Sequence, residues 1–174
     1  ICMVFVHLFM ISLITNAFDF ESRIAIISNG KEHTYRELLK QSDSIALELL
    51  EGKEDLKEAR VAFIVPPGFD YTAIQWGIWR AGGIAVPLCI KHPFKSIEYV
   101  IEDTQAAIVI LSLEFEELMA PFEGRENLKI IRTTEFTAKT GKLPDVSLLR
   151  RAMILYTSGT TGKPKGVVST HQNI

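Results

Sequence analysis

Hydrophobic positions change their spacing several times along the chain. Arg23–Ser28 reads as a short strand, Asn29-Gly30 is a turn pair that tolerates positive φ, and Lys31–His33 returns antiparallel, which predicts a hairpin. A helix follows at once, because Tyr35, Leu38, Leu39, Ile45, Ala46, Leu49 and Leu50 recur at helical spacing. Thr34 and Glu37 stand three apart at its start, where hydroxyl and carboxylate can each satisfy a free amide in a capping box. Gly52 lies where a left-handed terminator is wanted, and the helix is expected to pack on a sheet.

Arg60–Val65 is a near-continuous apolar run ended by Pro66-Pro67-Gly68, the pattern of a strand buried on both faces. Asp70 is placed to cap a helix through Ala81, with Gly82-Gly83 ending it and a strand at Ile84–Leu88 directly after. Further along, the spacing predicts a helix over Lys95–Asp103, a strand at Ala107–Leu111, a helix over Glu114–Pro121 and a strand at Leu128–Ile131. Thr133–Leu149 has no period and reads as an irregular surface connection. Ala152–Tyr156 is a last apolar strand. Strands alternating with helices predict an α/β fold, a mostly parallel sheet flanked by helices with an antiparallel hairpin. In such sheets ligands bind outside the carboxyl ends of the strands.

The 174 residues amount to about one domain or slightly more. A chain 47% hydrophobic and 23% charged has material for a packed core. Nineteen Lys+Arg against 21 Asp+Glu leave a formal charge of -2, without the basic excess that nucleic acid attracts. Cys2 and Cys89 are far apart and lack metal-ligand spacing, which fits a reducing, intracellular compartment. Cys89 is expected in the core. Residues 1–19 form an apolar leader whose first 18 positions carry no Lys, Arg, Asp or Glu. It lacks the basic region of a secretory signal and the arginines of an organellar presequence. Ser12, Thr15 and Asn16 interrupt it short of the ~20 apolar residues of a spanning helix. The expectation is an incomplete chain: it opens on Ile1 and stops at Ile174 just where a new helix is expected to begin.

The chemistry concentrates in Thr157-Ser158-Gly159-Thr160-Thr161-Gly162-Lys163-Pro164-Lys165-Gly166, which packs three glycines, four hydroxyls and two lysines into ten positions. Glycines let successive amides point into one anion-binding concavity, and hydroxyls and ammonium groups add directed donors and positive charge. Such a loop suits a polyphosphate. It is not the usual P-loop, which would need Gly at 157 and Ser or Thr at 164, where Thr and Pro stand. It is expected to connect two strands and to close over the phosphates. Zinc spacing and H-E-x-x-H are absent from the sequence, and Ser158 lacks the glycine two residues earlier that a nucleophile elbow requires. Glu98/Glu102 and Glu116-Glu117 read as exposed helix faces, Trp76 and Trp79 as packing, His92 as a turn residue. His171 is read as a helix-start residue without a chemical role, with contact to the nucleotide as the alternative.

Tyr156–Gly166 resembles the signature of the acyl-adenylate-forming superfamily, which includes acyl-CoA synthetases, luciferases and peptide-synthetase adenylation domains. His33-Thr34-Tyr35-Arg36-Glu37-Leu38 and Trp79–Leu88 resemble two further motifs of that family in the same order. Within it, Gln75-Trp76, Ala81-Gly82-Gly83, Lys91-His92-Pro93, Glu98–Ile101 and Ser169–Ile174 look most like the malonate-activating CoA ligases. The resemblance implies that residues 20–174 are an incomplete N-terminal AMP-binding domain, without the family's C-terminal domain. It implies a two-step reaction in which ATP and a carboxylate give acyl-AMP and pyrophosphate, and CoA then displaces AMP. ATP, Mg²⁺ and coenzyme A would be required. Lys165 is implied as the catalytic lysine, Thr157, Ser158, Thr160, Thr161 and Lys163 as phosphate ligands, and Gly159, Gly162 and Gly166 as the glycines that shape the loop. The family's adenine, ribose and late-lysine motifs do not occur before Ile174, so the chain alone is expected to be inactive. Fatty and aromatic acids stay open beside malonate. A non-catalytic nucleotide-binding or membrane-tethered module stays open beside the ligase, although the short leader argues against a membrane. The compartment is expected to be mitochondrial or cytoplasmic.

Overall fold

The computed structural model describes residues 11–157 and 164–174. Its elements run α1 (Ser12–Phe18), β1 (Ile24–Ser28), β2 (Lys31–Thr34), α2 (Tyr35–Leu50), β3 (Arg60–Ile64), α3 (Phe69–Arg80), β4 (Ile84–Pro87), α4 (Phe94–Asp103), β5 (Ile108–Leu111), α5 (Glu116–Met119), β6 (Lys129–Arg132), β7 (Arg151–Thr157) and β8 (Lys165–Thr170). β1 and β2 form a separate antiparallel hairpin. The other six strands make one sheet in the order β6-β5-β3-β4-β7-β8, parallel except for β8. The α/β class and the mostly parallel sheet therefore agree with the pattern of the sequence.

β3 shows why its run is uniformly apolar. Successive side chains of a strand point to opposite faces, so Val61 and Phe63 enter one core with α2 and α3, while Ala62 and Ile64 enter the other with α4. The chain reaches β4 by way of α3 on one face, then returns over β3 to β5 by way of α4 on the other. The loops leaving β3 and β4 thus part to opposite faces, which opens a crevice at the carboxyl edge of the sheet.

The capping box at Thr34 is formed: its hydroxyl accepts from the Glu37 amide at 3.3 Å, and its amide donates to the Glu37 carboxylate at 2.7 Å. α2 packs mainly on α3, with further contacts to α1 and to the two-stranded β1–β2 sheet. Asp70 does not cap α3. Gly68 occupies that position and Asp70 falls in the first turn, where its charge faces the positive end of the helix dipole. The 114–121 segment is a short α-helix between two 3-10 turns, Leu113–Phe115 and Ala120–Phe122, and His171–Asn173 form a 3-10 turn in place of a starting helix.

Two further expectations are corrected. Cys89 is exposed, since it lies past the end of β4 in the turn where the His92 amide reaches its carbonyl. The 133–149 connection is irregular but not wholly superficial: Val146 is buried, and Phe136 and Leu143 pack on the core beside α2 and α3. Trp76 and Trp79 are core residues, and the Trp79 indole donates to the Ala152 carbonyl at 2.8 Å, tying α3 to the start of β7. Ile11, Ile14 and Ala17 are buried at and within α1, which packs on α2. Among the described residues, no helix is long and apolar enough to cross a membrane.

Candidate functional site

β7 reaches the carboxyl edge of the sheet at Thr157, and the chain comes back along β8 from Lys165, with Thr157 and Lys165 directly paired. Six of the site residues expected from the sequence, Ser158, Gly159, Thr160, Thr161, Gly162 and Lys163, lie outside the described residues. Thr157 and Lys165 are both exposed. As cross-strand partners they share one face of the hairpin, with side chains starting about 5 Å apart. A hydroxyl and an ammonium group are therefore presented side by side where a parallel sheet takes its ligands. No carboxylate among the described residues pairs with Lys165.

The opposite face of the same hairpin is turned towards α4. Tyr156 pairs with Gly166, and its ring lies over that glycine, so that an added β-carbon at 166 would stand 3.2 Å from the tyrosine Cζ. Gly166 is thus needed for the space it leaves. The Tyr156 hydroxyl donates to Asp103 at the end of α4, while Tyr99, one helical turn earlier, donates to the Pro164 carbonyl at 3.3 Å. The two tyrosine rings meet edge to face, 6.2 Å apart at 87°. Burial, and then the bond to Asp103, raise the Tyr156 phenol well above its usual pKa, so it stays a donor at neutral pH.

A second polar feature opens at the same edge, beyond the ends of β3, β5 and β6. Here a cleft of about 370 Å³ is lined by Asn29, Lys31 and His33 of the hairpin, Asp70 of α3, and Ser112 and Thr133. His33 stacks on Phe69 with ring centroids 4.1 Å apart, and the buried Ser112 hydroxyl has no partner among the described residues. Neither Lys31 nor Ser112 carries a local sequence signal, because the hairpin and β5 meet only in three dimensions.

His171 lies at the other end of the hairpin. β8 runs antiparallel to β7, so its last residues return beside Arg151 at the amino edge, six residues of strand from Lys165. That is roughly 20 Å at the usual rise per residue. His171 is buried at that opposite edge, and packing is its observed role. The ring meets Trp79 edge to face at 5.8 Å. Both ring nitrogens are buried without a partner among the described residues. Burial, then the nearby Arg150 charge, push its pKa down to about 4, against the opposing pull of Glu58.

Three of the four carboxylates that could be mistaken for acid–base pairs, Glu98, Glu102 and Glu116, are engaged structurally. Arg125 bridges Glu98 at 2.5 Å and Glu102 at 3.3 Å, and Arg132 holds Glu116 at 2.6 Å. Among the described residues, no group of three His, Cys, Asp or Glu could hold a metal ion.

Comparison with known proteins places these features in a family. A malonate–CoA ligase of Homo sapiens, described as mitochondrial, is 40% identical over 92% of this chain, and that of Arabidopsis thaliana is 30% identical over 87%. The chain spans about 30% of the length of these relatives. Among solved structures, the anthranilate CoA ligase AuaEII in complex with anthranoyl-AMP superposes with a TM-score of 0.82 at 20% identity, over 95% of this chain and 34% of that one, which shows a shared fold. The family model described as AMP-binding enzyme matches residues 14–174, the greater part of the chain, and the protein belongs to that family.

Proposed function

We propose that this chain is part of an ATP-dependent acid–thiol ligase that converts malonate to malonyl-CoA. The observation that carries the reading is the 40% identity to a malonate–CoA ligase over 92% of the chain. In the first step, a carboxylate oxygen of the acid attacks the α-phosphorus of ATP. The bond to the pyrophosphate oxygen breaks and acyl-AMP forms. In the second step, the CoA sulfur attacks the acyl carbon and AMP leaves.

The leaving pyrophosphate gains negative charge as the first bond breaks, and donors aimed at it lower that barrier. Thr157 and Lys165 fit this work, since a hydroxyl donor and a cation stand exposed and adjacent at the carboxyl edge. Ser158, Thr160, Thr161 and Lys163 are assigned as further phosphate ligands, with Gly159 and Gly162 allowing the backbone to turn around them. Mg²⁺ is assigned to the nucleotide's own phosphate oxygens, where it would neutralise charge. An intracellular and mitochondrial location is proposed from the description of the human relative.

The test is pyrophosphate exchange into ATP by the complete gene product that contains this chain, with malonate, fatty acids and aromatic acids offered in turn. Malonate-dependent exchange, followed by malonyl-CoA on adding CoA, is expected. Exchange with another acid alone would reassign the substrate. No exchange with any acid would overturn the ligase.

A further inference from the structure

The geometry points to Tyr99 and Asp103 of α4 as positioning residues that clamp the strand ends bearing Thr157 and Lys165, and so set where a nucleotide's phosphates are bound. This inference rests on the adenylation reading above and assigns it a device on the opposite face of the hairpin.

Tyr99 and Asp103 are four positions apart, one above the other on one helix face. Each reaches a different strand. Asp103 accepts from Tyr156, the residue before Thr157, and Tyr99 donates to the carbonyl of Pro164, the residue before Lys165. The Tyr99 ring against the edge of Tyr156 joins the two contacts into one unit. Gly166 leaves the room that lets the Tyr156 ring lie flat across the hairpin.

Besides the packing of Ile154 and Tyr156 on the core beside α4, the ties at this end of the hairpin are few among the described residues. β7 pairs with β4 at Met153 and Ala85, four residues before Thr157, and β8 is an edge strand whose first four residues are exposed. α4, by contrast, is fixed: Ile97, Val100 and Ile101 are buried, Arg125 bridges Glu98 and Glu102, and Arg60 donates to the Thr104 carbonyl at 2.7 Å just past its end. The clamp therefore connects the exposed pair to the rigid body of the fold. Position matters here because a donor moved out of hydrogen-bond reach of a bound phosphate no longer contributes to its affinity.

The test uses the complete gene product with Tyr99→Phe, Asp103→Ala and Asp103→Asn. It reads KM for ATP and for the acid in pyrophosphate exchange, the melting midpoint, and hydrogen exchange of peptides covering 155–157 and 164–166. Tyr99→Phe and Asp103→Ala should each raise KM for ATP about tenfold, the scale of one lost hydrogen bond to a charged group, with KM for the acid unchanged and the midpoint lowered only slightly. Both should speed exchange at the two strand ends. Asp103→Asn keeps an acceptor oxygen and should restore most of the ATP affinity. An unchanged KM for ATP, an equal rise in KM for the acid, or a fall in kcat alone would overturn the assignment. If the unmodified protein exchanges no pyrophosphate, the ligase reading fails by itself. Hydrogen exchange then decides the clamp, and unaltered exchange at 155–157 and 164–166 in both variants overturns it.

Discussion

Gly166 lies under the ring of Tyr156, so close that a β-carbon there would meet the tyrosine Cζ at 3.2 Å and Cγ2 of Ile154 at 2.9 Å. The glycine of the signature is thereby coupled to α4 through the Tyr156–Asp103 hydrogen bond.

Gly166→Ala should displace the Tyr156 ring and cost about 1–2 kcal/mol, as overpacking does. Thermal melting of the variant checks the cost. Combined with Asp103→Ala the losses should be less than additive, because the first change already breaks the contact that the second removes.

Arg150 fastens the amino edge of the sheet. It donates to both carboxylate oxygens of Asp55, at 2.6 and 3.0 Å, and to the Gly82 carbonyl at 2.5 Å. Arg150→Ala should cost about 2 kcal/mol in urea unfolding, since it strands a partly buried carboxylate and a carbonyl. Gly82→Ala should be worse. Gly82 has φ +79°, and its β-carbon would stand 2.2 Å from the Asp55 carboxylate, so backbone strain adds to the steric clash.

His171 predicts an acid sensitivity. Its folded pKa is lowered to about 4, below the usual ~6.5 of an unfolded histidine. Between those values the unfolded chain binds more protons, so the stability is whole above about pH 6.5 and drains away as the pH falls towards 4. The loss should stay below about 1.4 kcal/mol per pH unit, reduced by residual hydration of the ring. Urea midpoints at pH 7.5 and 5.0 should differ for the wild type, and His171→Phe should remove most of that difference. An equal fall in both proteins would assign the effect to other groups.

Lys165→Ala in the complete gene product should slow acyl-AMP formation about 100-fold, the typical cost of losing one preorganised charge partner. Thioester formation from supplied acyl-AMP should change far less. Rapid-quench measurement of each step separates them, and equal slowing of both would remove Lys165 from the phosphate site.

Much of the fold is legible in the residues themselves, because the forces involved are local or periodic. The capping box at Thr34 and Glu37, the apolar run of β3 ended by two prolines, and the turn at Asn29-Gly30 are short-range effects that a linear reading captures. The density of hydroxyls, glycines and lysines in 157–166 likewise signals an affinity for phosphate through residue chemistry alone. What a linear reading could not supply is which residues meet across the sheet. Strand order put β7 beside β4, and the antiparallel return of β8 carried His171 to the edge away from Lys165. The same arrangement brought α4 under the hairpin, so that Tyr99 and Asp103 reach Pro164 and Tyr156 across more than fifty residues of chain. It also left Cys89 in water. Composition and period reflect how each segment gains by burying its own apolar face, whereas the partner that covers that face is chosen by long-range packing, which no neighbour in sequence encodes.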